Sequence, residues 1–156
     1  MAQETAPQAI ARLVAYAPGK YVALPPHATV EIVEHPKALP VPGAAHHAHG
    51  LLAWQGRHIA MIDLQALVAG RIDGQALSTP RYALVVAYQR RAGEAIEHGA
   101  LALPFLPETI TVSDDAACAL PQDSASWPAI AISCFAVDGQ PVPVVDTSRL
   151  FAGPHG

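Results

Sequence analysis

The sequence predicts an all-β chain arranged as two similar small lobes, and three observations carry that reading. Apolar runs are short and repeatedly stopped by turn residues, with 15 prolines and 11 glycines among 156 residues. Many short strands separated by Pro- and Gly-rich turns are the pattern of barrels and sandwiches. That proline content, roughly twice average usage, also excludes long helices, because an interior proline removes a backbone donor and clashes with the preceding turn. Finally, a segment around Gly56 returns in the same layout around Gly139.

The elements follow in order. The first residues read as a loose leader. Ile10 to Ala17 is a short strand or one to two helical turns, and Pro18-Gly19 is a turn. Tyr21 to Leu24 is an apolar run stopped by Pro25-Pro26. Thr29 to Glu34 alternates like a strand and ends before Pro36. Leu39 to Gly43 stays extended or turned around Pro40 and Pro42. Leu51 to Trp54 and His58 to Ile62 are strands joined by the turn Gln55-Gly56-Arg57. Leu64, Leu67 and Val68 have helical spacing, with Asp63 placed as N-cap and Gly70 as closing residue. Arg71 to Pro80 is a polar connection, and Tyr82 to Tyr88 (YALVVAY) is the strongest buried strand. Gln89 to Gly99 reads as a polar hairpin loop, Ala100 to Leu106 as a strand interrupted by Pro104, and Thr109 to Val112 as a short strand. Asp114 to Trp127 is irregular. Ala129 to Val137, the Asp138-Gly139 turn and Val142 to Val145 form a closing hairpin.

The repeat is specific. Gly56, Asp63, Leu67, Ala69 and Gly70 each meet the same residue type 83 positions later, at Gly139, Asp146, Leu150, Ala152 and Gly153. In both places a hairpin ends at an Asp before a helical turn, which points to duplication. The chain is therefore read as one domain over residues 1–156. Lobe one spans roughly 18–78, and lobe two roughly 79–156 with the strand 10–17.

Composition excludes several functions. Hydrophobic residues make up 51% and charged residues 14%, the reverse of a disordered chain. Nine Lys and Arg against thirteen Asp and Glu, a net charge of -4, leave no basic footprint for nucleic acid. No apolar stretch reaches the ~18 residues that span a bilayer, and the start MAQETAPQAIARLVAYAPG lacks the early positive charge of a signal peptide. A cytoplasmic protein is expected. Cys118 and Cys134 have no metal-binding spacing; nothing requires a disulfide, and both read as small buried hydrophobes in a reducing compartment.

At this point the residues resemble a family. Gly50-Leu-Leu-Ala-Trp-Gln-Gly-Arg-His-Ile-Ala-Met-Ile-Asp-Leu64 is similar to the CheW signature G-[VI]-[IV]-N-L-R-G-x-[IV]-[VI]-P-[VI]-[VI]-D-L. Thr29-Val30-Glu31-Ile32 resembles its V-x-E-I strand, Ala38 to Ala45 its Pro-rich stretch, and Val137 to Asp146 its closing hairpin. The resemblance covers roughly Ala17 to Ala152. It implies two SH3-like five-stranded β-barrel lobes sharing a core, with short helical turns. It also implies a non-catalytic adaptor that couples chemoreceptor cytoplasmic tips to the regulatory domain of a CheA-type histidine kinase, and no cofactor. The family's interfaces map onto Val30, Glu31 and Ile32 and onto Trp54, Gln55, Gly56 and Arg57. Three departures stand out: Ala53-Trp54-Gln55-Gly56 replaces Asn-Leu-Arg-Gly, so the charged interface Arg is Gln55; Arg57, two residues on, should point elsewhere; and His49 replaces a basic residue. These suggest a divergent member serving a type IV pilus (twitching) or accessory chemosensory pathway, like the single-domain PilI and ChpC versions.

Competing chemistry is weaker. The cluster His46-His47-Ala48-His49 is the basis of an alternative reading as a small metal-binding β-protein. On extended chain only His47 and His49 share a side, whereas a metal site needs three or four ligands. The other five histidines read as scattered and solvent-facing. Ser133 and Cys134 sit in an apolar strand, not in a nucleophile motif. Asp114-Asp115 reads as a turn, and Asp63 and Asp146 as helix caps rather than catalysts. Trp54 is read as either core or an exposed anchor.

Overall fold

The computed structural model describes residues 8–42, 48–69 and 80–152. Eleven strands and three short helices occur among them: β1 (Gln8–Ala17), β2 (Lys20–Leu24), β3 (Thr29–Glu34), β4 (Ala38–Leu39), β5 (Ala48–Trp54), β6 (Arg57–Ile62), α1 (Leu64–Ala69), β7 (Tyr82–Gln89), β8 (Ile96–Leu103), β9 (Glu108–Ser113), α2 (Trp127–Ile130), β10 (Ala131–Val137), β11 (Gln140–Val145) and α3 (Thr147–Ala152). They form a five-stranded sheet, β10-β11-β2-β1-β9, and a six-stranded sheet, β3-β7-β8-β6-β5-β4.

The repeat is exact at the level of elements. Shifting β5, β6 and α1 by 83 residues gives the bounds of β10, β11 and α3. Each hairpin closes on a turn with two positive φ angles, Gln55 and Gly56 in one, Asp138 and Gly139 in the other. Such a turn matches the right-handed twist of the strands it joins. Both hairpins shift register at the same place, between Ala48 and Gly50 and between Ala131 and Ser133. Both helices are capped alike: an Asp63 carboxylate oxygen accepts from the Gln65 N–H at 3.0 Å, and Asp146 accepts from the Ser148 N–H at 2.9 Å. Gly70, read as the closing residue, and its repeat counterpart Gly153 lie outside the described residues.

The division between the lobes is not the one at 78/79. Each repeat runs hairpin, third strand, hairpin, helix. However, β1–β2 pairs with β9 and β11 in the sheet that also holds β10, while β7–β8 pairs with β3 and β6 in the sheet that also holds β5. The first hairpin of each repeat is thus exchanged into the other repeat's sheet, and sequence adjacency could not reveal it. The exchange decides the packing. Val14, Tyr16, Val22 and Leu24 of one exchanged hairpin meet Leu84, Val86, Leu101 and Leu103 of the other in a shared core. Their alternate residues fill the lobe interiors, Leu13 and Ala23 in one, Ala83, Val85, Ala100 and Ala102 in the other. Strands buried on both faces need no polar alternation, so YALVVAY and ALAL read as continuous apolar runs.

Each sheet curls shut in the same way. The chain leaves one edge as β3, bends at His35-Pro36, and pairs at the far side as β4, Ala38 with Leu52 and Leu39 with Leu51. In the other sheet it leaves as β9, makes a 3-10 turn at Asp114–Ala116, and bridges β10 through Ala117 and Phe135.

Four sequence expectations change. Ile10 to Ala17 is strand throughout. The loop expected over Gln89 to Gly99 is shorter, because Ile96, Glu97 and His98 pair with Gln89, Tyr88 and Ala87. The strand expected from Ala129 starts at Ala131, because Trp127–Ile130 form α2, with Pro128 in its first turn, where a missing N–H costs nothing. Trp127, read as irregular, is buried against Tyr16 in the shared core and donates its indole N–H to Asp123 at 2.8 Å.

The glycines of the β5–β6 hairpin differ in kind. Gly50 has φ +138, and a Cβ there would lie 2.5 Å from the Leu39 carbonyl oxygen. Gly56 has φ +75 with nothing near. Gly50→Ala should therefore cost about 2 kcal/mol or more in urea unfolding, whereas Gly56→Asn, a residue that tolerates this region, should cost under about 1 kcal/mol. Asp63→Ala should cost about 1 kcal/mol by the same measurement, with Asp63→Asn recovering most of it.

Candidate functional site

The residues singled out in sequence come from two places, β3 and the β5–β6 turn. The curl of the six-stranded sheet brings them together. Trp54 is the last residue of β5, beyond the stretch that β4 covers. Its indole N–H donates to the Glu31 carboxylate at 2.8 Å, tying β3 directly to the hairpin end. Trp54 is only 7% exposed and packs on Leu52, Ile59 and Met61. The reading of Trp54 as an exposed anchor is corrected: its ring fills the lobe interior, because the curl places β5's inward face against β7 and β8.

Around that buried ring lies an exposed rim. Val30 is 43% exposed, Glu31, Gln55, Gly56 and Arg57 are exposed, and Ile32 is half-buried. Gln55 sits at φ 47, a left-handed conformation that non-glycine residues seldom adopt. The Arg57 guanidinium lies 5.6 Å from the Trp54 ring centroid, in cation–π range. It was expected to point away; it opens β6 opposite Trp54 and so covers the same ring.

The sequence reading missed His98. Its ring lies 4.7 Å from Trp54, tilted by 48°, and its Nδ1 is 3.1 Å from Arg57 Nη2. A guanidinium can only donate, so Nδ1 is the acceptor and carries no proton. Burial first, and the neighbouring Arg57 charge second, lower the His98 pKa below its ordinary value. The available clue was the apolar ALAL run just after it, which extends back as a strand through His98.

The remaining expectations fall elsewhere. His47 lies outside the described residues, and His49 is in β5. Among the described residues no cluster of His, Cys, Asp or Glu could hold a metal ion, so the metal reading gains no support. No described helix is long and apolar enough to cross a membrane. A cleft of about 480 Å³ opens where the lobes meet, lined by His27, Tyr88, Arg90, Ile96 and Thr147 among others.

Together these residues form an exposed, partly apolar rim over a buried aromatic base. The CheW-like domain family matches residues 13–155. A search of curated proteins returns no match. Among solved structures, the scaffolding protein TtCheW from Thermoanaerobacter tengcongensis superimposes with a TM-score of 0.63, covering 88% of each chain at 13% identity. The fold is therefore that of two SH3-like barrel lobes.

The lowered His98 pKa gives a pH prediction. The unfolded chain, with an ordinary imidazole, takes up the proton first. This contribution to stability is thus complete above about pH 6.5 and is lost as pH falls through the folded value. His98 should titrate below 6.5 by NMR, with the Trp54 indole resonance moving at the same midpoint. His98→Gln should flatten the acid slope of stability; a midpoint at or above 6.5 would contradict the geometry.

Proposed function

The chain belongs to the CheW-like domain family, and from that premise we propose that it is a non-catalytic adaptor. It couples chemoreceptor cytoplasmic tips to the regulatory domain of a CheA-type histidine kinase. The observation that carries the kinase half is the Glu31–Trp54 hydrogen bond. It ties β3, with its exposed Val30, to the Gln55-Gly56-Arg57 turn, while Ile32 packs against the shared core. A buried aromatic under an exposed rim keeps that face rigid, so little ordering cost is added on binding.

The receptor half rests on the interlobe cleft, whose walls mix apolar Ile96 and Tyr88 with polar Arg90 and Thr147. A helical tip could lay an apolar stripe there. Each contact is modest alone, and an array of adaptors gains strength through multivalency. Gln55 and His49, standing where the family has basic residues, support a type IV pilus or accessory chemosensory pathway. Both partners act on the cytoplasmic side, which in this reading is where the adaptor works.

Co-purification from the native cell should bring down a histidine kinase. Val30→Glu and Arg57→Glu should each weaken capture of that kinase's regulatory domain about tenfold or more, with Tm shifted by less than about 3 °C. Ile96→Asp should instead reduce receptor capture. Normal kinase capture by both rim variants would discard the site assignment.

A further inference from the structure

The second lobe closes on a contact that the first lobe makes with leucines. In the six-stranded sheet, Leu39 pairs with Leu51 as β4 clasps β5. Shifting Leu51 by the repeat length gives Cys134, and its partner in the equivalent bridging segment is Cys118. Ala117 bridges Phe135, and the Cys118 N–H donates to the Cys134 carbonyl at 3.0 Å. The two residues therefore face each other across an antiparallel pair. Directly paired residues of this kind have Cα atoms about 5.5 Å apart, within the range of about 4.4–6.8 Å that a disulfide spans. The Sγ atoms are already 3.3 Å apart.

The two thiols differ in environment. Cys118 is exposed, against the expectation that both cysteines are buried, and Cys134 is buried. Burial, followed by the hydrogen bond and charge of Cys118, pushes the Cys134 thiol up to about 12. The two sulfurs lie within hydrogen-bond reach of each other, and Cys118, the exposed one, is the thiol an oxidant in solution can reach.

We propose that Cys118 and Cys134 are a reversible redox latch on the closing seam of the second lobe, with peroxide as oxidant. The Cys118 thiolate attacks one peroxide oxygen. The O–O bond breaks, and the departing hydroxide takes a proton to leave as water, giving a Cys118 sulfenic acid. The Cys134 sulfur then attacks the Cys118 sulfur, the S–O bond breaks, and hydroxide leaves as a second water with the Cys134 proton. Two thiols lose two electrons in total, and peroxide is reduced to two waters. A dithiol reductant reverses the step by exchange and becomes a disulfide itself.

The position gives the latch its effect. Lobe one is clasped by a two-residue ladder, whereas lobe two is clasped by the single bridge Ala117–Phe135. The closed loop would contain α2, whose Trp127 and Ile130 are in the shared core. It would also fix one wall of a groove of about 510 Å³ lined by Ile10, His27, Val112, Ala117 and Cys134. Because the sulfurs are already in contact, closure strengthens the fold without rearranging it.

The test uses the full chain treated with hydrogen peroxide. Expected are the loss of two hydrogen masses per monomer, no change in oligomeric size, and a Tm raised by about 5–10 °C for a loop of this length. Dithiothreitol should reverse all three. Cys118→Ala, at the exposed position, should abolish the shift. In Cys134→Ala, Cys118 should stop at a sulfenic acid that dimedone traps. Retention of both free thiols, an interchain dimer in place of the intrachain product, or over-oxidation of Cys118 with Cys134 still reduced would each overturn the proposal.

Discussion

Two hairpins buried on both faces are the constraint from which the rest of this structure follows. β1–β2 and β7–β8 lie between the shared core and the lobe interiors, and each belongs by sequence to the opposite repeat. Fully burying a Val or Leu side chain contributes about 1.5–3 kcal/mol, and these strands bury side chains on both sides. Neither lobe can shed its borrowed hairpin without exposing two apolar faces at once. The lobes are thereby coupled, and the loops and caps around them inherit a rigid base. The Thr147 hydroxyl bonded to the Ala87 carbonyl at 2.9 Å is one such dependent contact, holding α3 of one repeat on β7.

Duplicated architecture has been made asymmetric by a few side chains. The position of Trp54 is held by Val137 in the second hairpin, and that of Arg57 by Gln140. Only the first hairpin therefore carries the indole that reaches Glu31, with Arg57 and His98 packed about it. The same backbone frame yields an exposed polar rim on one lobe and, at the clasp of the other, a pair of thiols. The copies differ in these side chains while their backbones agree down to the position of a bulge.

The sequence made much of this legible. Turn chemistry located both hairpins, because Gln-Gly and Asp-Gly turns are local events with local causes. Asp63 and Asp146 could be recognised as caps because each stands directly before a helical spacing. The family's glycine at Gly50 has its reason in a carbonyl of a different strand, which no local pattern contains. The exchange of hairpins was hidden for a similar cause: β2 lies beside β3 in sequence but pairs across the molecule, and a 3-10 turn at Pro26–Ala28 is all that separates the two sheets along the chain. His98 escaped because its polarity resembled a loop, although a half-buried strand position accepts a polar residue that finds a partner, as His98 does in Arg57. Trp54 was ambiguous since an aromatic beside a turn suits either core or rim, and only the curl of the sheet decides between them.

The exchange also orders events in time. The six-stranded sheet has all its strands once Leu103 has been made. The five-stranded sheet contains the earliest described strand, β1, yet must wait for β11, which ends at Val145. During synthesis β1–β2 therefore emerges long before its own sheet exists, with one apolar face able to lean on β7–β8 and the other left without its partners until the last strands arrive. A nascent chain halted between those two points would be half a protein holding an unfinished, sticky surface, which makes that interval the one in which a chaperone has most to do.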